Sequence, residues 1–266
     1  IASFFHLGRP ERAWRSAAMW RTSWLSREVI VLPALMAVVF LFGVAHLAGW
    51  KPVLATLPSG IAIDATVALG VVGTVLAFAL FLCTAMIYAC LPFLREWASP
   101  LTVVNYTLLG GASGFTLAAA FASGVAPELT RFLAGWAFVL TLLGAVSRVA
   151  SLIRNARLKP KSTLQTAIGI KHPRIVQKAM GFMGGSYNTR EFFHGRSGAV
   201  LRSVKWVFLL TAFAVPLALL AWGWSAAPAG VLAAAFVVQY AGLLAERWFF
   251  FAQANHPQNL YYQAVA

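Results

Sequence analysis

Six uninterrupted apolar runs, at 28–50, 63–91, 101–123, 132–153, 203–223 and 229–252, constrain this chain more than any other feature. Each reaches the roughly 20 residues that an α-helix needs to cross the hydrocarbon core of a bilayer. A barrel strand would be about half as long and would alternate polar with apolar residues, which none of these runs does. Within lipid every backbone N–H and C=O must be paired inside its own segment, so the runs are expected to be helices. The predicted fold is therefore all-α, a polytopic transmembrane helix bundle. A composition 60% hydrophobic and 11% charged, with mean hydropathy +0.76, argues against a soluble domain. Residues 1–7 read as the end of a seventh span, which suggests an N-terminally truncated chain with helices upstream. The whole of 1–266 is read as a single transmembrane domain, and no signal peptide can be judged from it.

Charge alternates along the gaps between the runs. The first gap (8–27) holds Arg9, Arg12, Arg15, Arg21 and Arg27, the third (92–100) holds Arg95, and the fifth (154–202) holds ten Lys and Arg, with Lys205 just beyond. The second gap has Lys51, the fourth Arg131, and the sixth none. The positive-inside rule puts the odd gaps and the carboxyl terminus in the cytoplasm. Trp24, Trp50, Trp97, Trp206 and Trp222 fall near predicted helix ends, as interfacial aromatics should. The net charge of +14 would suggest nucleic acid in a soluble protein. Here the bases sit within a few residues of lipid, so no nucleic-acid partner is expected; they mark the inner face and a contact with lipid headgroups or protein.

The long basic loop 154–202 exceeds what a connector needs. Its middle, with Ile175, Val176, Ala179 and Met180, reads as a basic amphipathic segment lying on the membrane face. Gly181, Gly184 and Gly185 permit tight turns. Tyr187, Phe192 and Phe193, with Arg190 among them, are interface-type residues and mark either a lipid anchor or a docking surface for a cytoplasmic partner.

Several cofactor classes find no motif. Cys83 and Cys90 share one predicted helix face but form no cluster-binding pattern, so both read as packing residues and no iron–sulfur cluster is expected in this chain. A membrane haem needs paired histidines at matching depth. His46 lies near the outer end of its run, His172 and His194 fall in the long loop, and His256 lies past the last span, so no haem is expected. No metal site and no catalytic residue is predicted. "GVVG" (70–73) and "GGASG" (110–114) lie inside apolar runs, where small residues favour close helix packing over phosphate binding.

His6 and Glu28 stand apart from this pattern. His6 ends one apolar run, with Gly8 and Pro10 following as stop signals; Glu28 opens the next, where Ser26 could cap. Taken singly, a His suits a helix C-terminus and a Glu an N-terminus through the helix dipole. Together they lie at one membrane depth on consecutive spans. A His there can hydrogen-bond a carbonyl oxygen and exchange a proton near neutral pH, and a Glu can relay that proton to water. Such a pair is what a quinone site needs, and Arg27 beside Glu28 is counted with it.

"FFHLGRPERAWRS" followed by "WLSREVI" resembles the membrane anchor subunits of dimethyl sulfoxide reductase and related complex iron–sulfur molybdoenzymes. The family has a histidine in an HLG turn and a Ser-x-Glu at the next helix start, matched here by His6 and by Ser26 and Glu28. "GGSYNTREFFHG" (184–195) resembles a loop of its longer members, and "AERWFFFAQ" its last helix. The resemblance implies eight spans in a full-length chain, a molybdopterin catalytic subunit and a four-cluster iron–sulfur subunit as partners, and exchange of electrons with membrane quinone (menaquinone or ubiquinone) beside His6 and Glu28. Arg9, Arg12 and Arg15 would then face the iron–sulfur partner. The location implied is the bacterial inner membrane. Five arginines on the His–Glu loop suit a relative with cytoplasmic catalytic subunits, such as a membrane-bound sulfite dehydrogenase feeding quinone. The alternative is a sulfoxide-type reductase oxidising menaquinol.

A stand-alone transporter is the rival from another class. It would show matched broken helices or midplane charges. Asp64, Arg148, Glu246 and Arg247 all map near predicted helix ends, and Glu246 with Arg247 is read as a snorkelling rim.

Overall fold

The computed structural model describes residues 9–60, 62–159, 163–176, 198–226 and 229–254. They form two compact units, divided after Tyr88. Among the described residues six helices are long and apolar enough to cross a membrane, and they fall on the six runs found in the sequence.

The first unit opens with a 3-10 helix, Pro10–Ala17, whose proline supplies a preset φ at the first turn. Helix α1 (Trp24–Leu47) follows. The Ser23 side chain accepts from the Ser26 N–H at 3.3 Å, so Ser23 is the cap and Ser26 lies buried in the first turn, against the expectation that Ser26 would cap. Gly49 turns the chain with φ 66°. A short antiparallel hairpin follows, β1 (Val53–Thr56) on β2 (Ala62–Asp64), with Ala55 opposite Ile63. This short hairpin connects α1 to the next span within an all-α fold.

Helix α2 (Ala65–Ala89) starts on a side-chain cap. Asp64 accepts from the Thr66 hydroxyl at 2.7 Å and from the Val67 N–H at 2.9 Å, pairing one of the helix's unpaired first amides. These two bonds, the hydroxyl first, hold the Asp64 carboxyl below its usual value. Helices α1 and α2 meet through side chains. A Cβ at Gly70 would stand 3.6 Å from Phe42, and one at Gly73 would stand 3.6 Å from Val38. Cys83 is buried, but α2 ends at Ala89 and Cys90 is exposed, so the two cysteines do not share a packed face.

The second unit is a bundle of four spans. Ser99 caps α3 (Pro100–Val125), and Ala126 alone links it to α4 (Pro127–Ala156), so the fourth gap is far shorter than its composition suggests. A five-residue helix, α5 (Leu164–Ile168), stands in the long loop on a Thr163 capping box. Ile175 and Val176 lie in irregular chain, the first half-buried and the second exposed. Ala179, Met180 and the three loop glycines lie outside the described residues. The fifth span is α6 (Gly198–Leu209), a π-turn (Leu210–Ala214) and α7 (Val215–Ala226); α8 (Ala229–Ala252) completes the bundle. Pro216 explains the π-turn. It has no N–H for the carbonyl four residues back and its ring crowds that carbonyl, so the ladder shifts register just before it.

Small residues recurring every three or four positions line the bundle seam. They are Ala134, Ala137, Thr141 and Gly144 on α4, facing Ala112, Thr116 and Ala119 on α3. Without a hydrophobic drive between helices in lipid, close backbone approach over such residues provides the packing. Trp97, expected at the interface, is buried instead; its Nε1–H donates to the Phe250 carbonyl at 2.9 Å and its ring stacks on Phe250. Trp50, Trp206 and Trp222 are exposed.

Candidate functional site

The predicted pair is half within the described residues. Glu28 is there; His6 lies outside them, as do Tyr187, Arg190, Phe192 and Phe193. Because Ser23 caps α1, the helix starts at Trp24 and Glu28 falls in its second turn. The dipole's benefit fades beyond the first turn, so a helix-end role does not account for this carboxylate. What holds it is α2. The Thr84 hydroxyl donates to Glu28 Oε1 at 2.5 Å, both residues being half-buried. Thr84 escaped the sequence reading because its neighbourhood is uniformly apolar. The one available signal is the antiparallel register of two consecutive spans, which brings the end of α2 back to the start of α1. Buried Cys83 lies next in the chain, and Leu25, Val29 and Leu32 around Glu28 are exposed, so the carboxylate stands beside an open apolar face.

Arg27 has a different task. Its Nε donates to the Trp20 carbonyl at 2.9 Å and its Nη2 to that of Arg21 at 2.8 Å, while the guanidinium lies 4.1 Å over the Trp24 ring. These contacts close the turn into α1. Arg9 precedes the 3-10 helix, and Arg12 and Arg15 lie on it, all exposed. Arg12 is 3.9 Å from Glu11, and Arg15 lies 5.7 Å over Trp14.

A second polar cluster lies within the other unit. Arg148 on α4 and Glu246 on α8 are both 2% exposed, with Nε 2.7 Å from Oε1. Arg247 Nη2 stands 3.9 Å from Glu246 Oε2, and its guanidinium lies 4.0 Å over Tyr106 and 5.0 Å over Phe250. Asn105 on α3 donates to the Ser151 hydroxyl of α4 at 2.8 Å. Glu246 is therefore no snorkelling rim. A signal was available, since Thr141, Gly144, Arg148 and Ser151 continue the small-residue seam, as Ala235, Gln239, Gly242 and Glu246 do on α8. Both charges occupy seam positions and so meet. Near the end of α4, Arg154 donates to the carbonyls of Arg95 and Ala98, tying the α2–α3 loop to the bundle. Among the described residues no three His, Cys, Asp or Glu side chains converge as a metal site would require.

Six long apolar helices, small-residue seams and a carboxylate held at a span's edge describe a multi-pass membrane protein. The chain belongs to the DMSO reductase anchor subunit (DmsC) family, whose model matches residues 1–253. It is thus a membrane anchor of the molybdoenzyme-complex class. Within that class it is similar to a subunit of the sulfite dehydrogenase of Allochromatium vinosum, at 58% identity over 265 residues, covering 100% of this chain and 82% of that protein. No solved structure matches the chain.

Proposed function

We propose that this anchor is the quinone-reactive subunit of a molybdopterin and iron–sulfur complex, passing electrons from sulfite oxidised on the cytoplasmic side to membrane quinone. The observation that carries the reading is Glu28: a half-buried carboxylate in the second turn of a span, fixed by Thr84 and flanked by exposed Leu25, Val29 and Leu32. Quinone supplies the two-electron, two-proton chemistry, and it needs an apolar slot open to lipid. Glu28 moves protons between that slot and water at the membrane edge. His6, at the end of the preceding apolar run, hydrogen-bonds the quinone carbonyl and exchanges its proton. Arg27 acts through the turn that it closes, and so positions Glu28 instead of touching the ligand.

Arg9, Arg12 and Arg15, exposed before α1, dock the four-cluster iron–sulfur subunit, joined by Tyr187, Arg190, Phe192 and Phe193 of the long loop. The charge alternation of the gaps supports a cytoplasmic location for these docking segments and for the carboxyl terminus in a bacterial inner membrane. The similarity to a sulfite dehydrogenase component favours sulfite oxidation over sulfoxide reduction as the coupled reaction.

The test is extraction of the complex from its native membrane, with molybdenum and non-haem iron quantified. Sulfite-driven reduction of menaquinone and ubiquinone analogues is then assayed for wild type, His6→Ala and Glu28→Gln. Both metals and two larger subunits should accompany the anchor, and each variant should lose quinone reduction while keeping its metals. A metal-free anchor that purifies alone would overturn the reading.

A further inference from the structure

The geometry points to a specific internal water site in the polar node of α3, α4 and α8, where one water joins Asn105, Arg148, Glu246 and Arg247. Asn105 Oδ1, Arg148 Nη2, Glu246 Oε2 and Arg247 Nη1 are buried and have no hydrogen-bond partner among the described residues. All four residues line one pocket, together with Tyr106 and Phe250. An unmet polar atom of this kind costs about 1–3 kcal/mol, and more when it is charged, so four together are not left without a partner.

Donor and acceptor inventory selects the guest. Arg148 Nη2 and Arg247 Nη1 can only donate; Glu246 Oε2, in an ionised carboxylate, and Asn105 Oδ1 can only accept. A cation would face two guanidinium groups, and an anion would leave both oxygens unmet. A water molecule accepts two hydrogen bonds and donates two, matching the set. Size selects the same guest, for the cavity measures about 10 Å³, the space of a single water.

Depth gives the site its significance. At 1.5 Å per residue, Arg148 lies about 12 Å along α4 from its end at Ala156, and Glu246 lies about 9 Å from the end of α8 at Ala252. Arg148 and Glu246 are each 2% exposed there, so the water has to be held by the protein. Arg148 Nε faces Glu246 Oε1 at 2.7 Å as an ion pair without hydrogen-bond geometry; the water serves Arg148 Nη2 and Glu246 Oε2 and ties in Asn105 and Arg247. Three spans are thereby locked in one register. The site is independent of the quinone reading, since it involves none of those residues.

X-ray radiolytic footprinting of the assembled complex tests this, because a bound water irradiated in place oxidises the side chains beside it. Phe250, 5% exposed, should be oxidised in wild type well above another buried phenylalanine, Phe213, which is 3% exposed. Asn105→Leu removes one acceptor and should lower that labelling several-fold, whereas Asn105→Asp keeps the acceptor and the labelling. Phe250 silent in wild type, or labelled equally in Asn105→Leu, would overturn the proposal. Should Asn105→Leu fail to assemble, a cryo-EM map of the wild-type complex that resolves ordered water decides. Density within hydrogen-bond distance of the four atoms supports the site, and direct pairing of those atoms with one another overturns it.

Discussion

Thr84, near the end of α2, donates its hydroxyl to the carboxylate of Glu28 near the start of α1, across 56 residues of chain. A half-buried carboxylate beside exposed Leu25 and Val29 has few partners available, so this bond sets where its oxygens point. Thr84→Val keeps the shape and removes the donor, while Thr84→Ser keeps the donor. The expected outcome is about a tenfold loss of quinone-coupled turnover in Thr84→Val, equivalent to ~1.4 kcal/mol, with Thr84→Ser near wild type. An artificial electron acceptor served directly by the catalytic subunits should show no difference. Equal turnover with quinone in wild type and Thr84→Val would rule out the positioning role.

The Arg148–Glu246 pair predicts strong non-additivity. Removing one partner leaves a buried charge uncompensated, at a cost of about 3–5 kcal/mol. Arg148→Met and Glu246→Leu should each lower the thermal midpoint of the purified complex sharply. The double variant should recover most of the loss, because two apolar side chains of similar volume need no counter-charge. The midpoints of the three variants measure the coupling directly; additive losses would contradict a paired interior charge.

Gly242 tests the closest helix contact. A Cβ there would lie 2.5 Å from the Thr211 carbonyl carbon and 2.7 Å from Ala212 Cα, backbone atoms of the π-turn that cannot swing aside. Gly242→Ala should therefore cost at least the ~1–3 kcal/mol of ordinary overpacking. Gly114, in α3 with nothing within 4 Å of its Cβ position, is the control. Gly114→Ala should be neutral or stabilising by up to about 1 kcal/mol from helix propensity. Thermal unfolding of both variants checks the contrast in sign.

Asp64 makes the start of α2 sensitive to acid. Its carboxyl is held below the ordinary value of 3.8 by the Thr66 hydroxyl and then the Val67 N–H. A group whose folded value is lowered contributes fully above its unfolded value and loses that contribution as pH falls through the folded one. The first turn of α2 should thus exchange its amides slowly at neutral pH and loosen only below the ordinary carboxyl range. Asp64→Asn should abolish the loss of protection at Val67 in acid, measured as exchange relative to the intrinsic rate at each pH; an unchanged protection profile would assign the cap elsewhere.

Much of the fold was legible because the deciding physics is local. A run of about 20 apolar residues must be helical in lipid whatever surrounds it, and the six runs became six helices, with ends shifted where Ser23 and Ser99 cap or where Pro127 opens α4 directly after α3. The hairpin of Val53–Thr56 with Ala62–Asp64 was missed because strands this short carry little periodicity. Trp97 was misplaced by the same locality. Its position near a span end is shared with interfacial tryptophans, and only the approach of Phe250 from α8 draws it inside.

The sequence by itself determined that this chain is a multi-pass membrane protein, where its six long apolar helices lie, and which family it belongs to, through hydropathy and the residues around His6 and Glu28. Only the tertiary structure decided that Thr84 holds Glu28, that Arg27 closes a turn, and that Arg148 meets Glu246 inside a helix bundle. Hydropathy reports how long a helix is and what solvent it prefers, both properties of neighbouring residues. Which faces meet depends on where small residues let two backbones approach, and that is settled between helices and not within them.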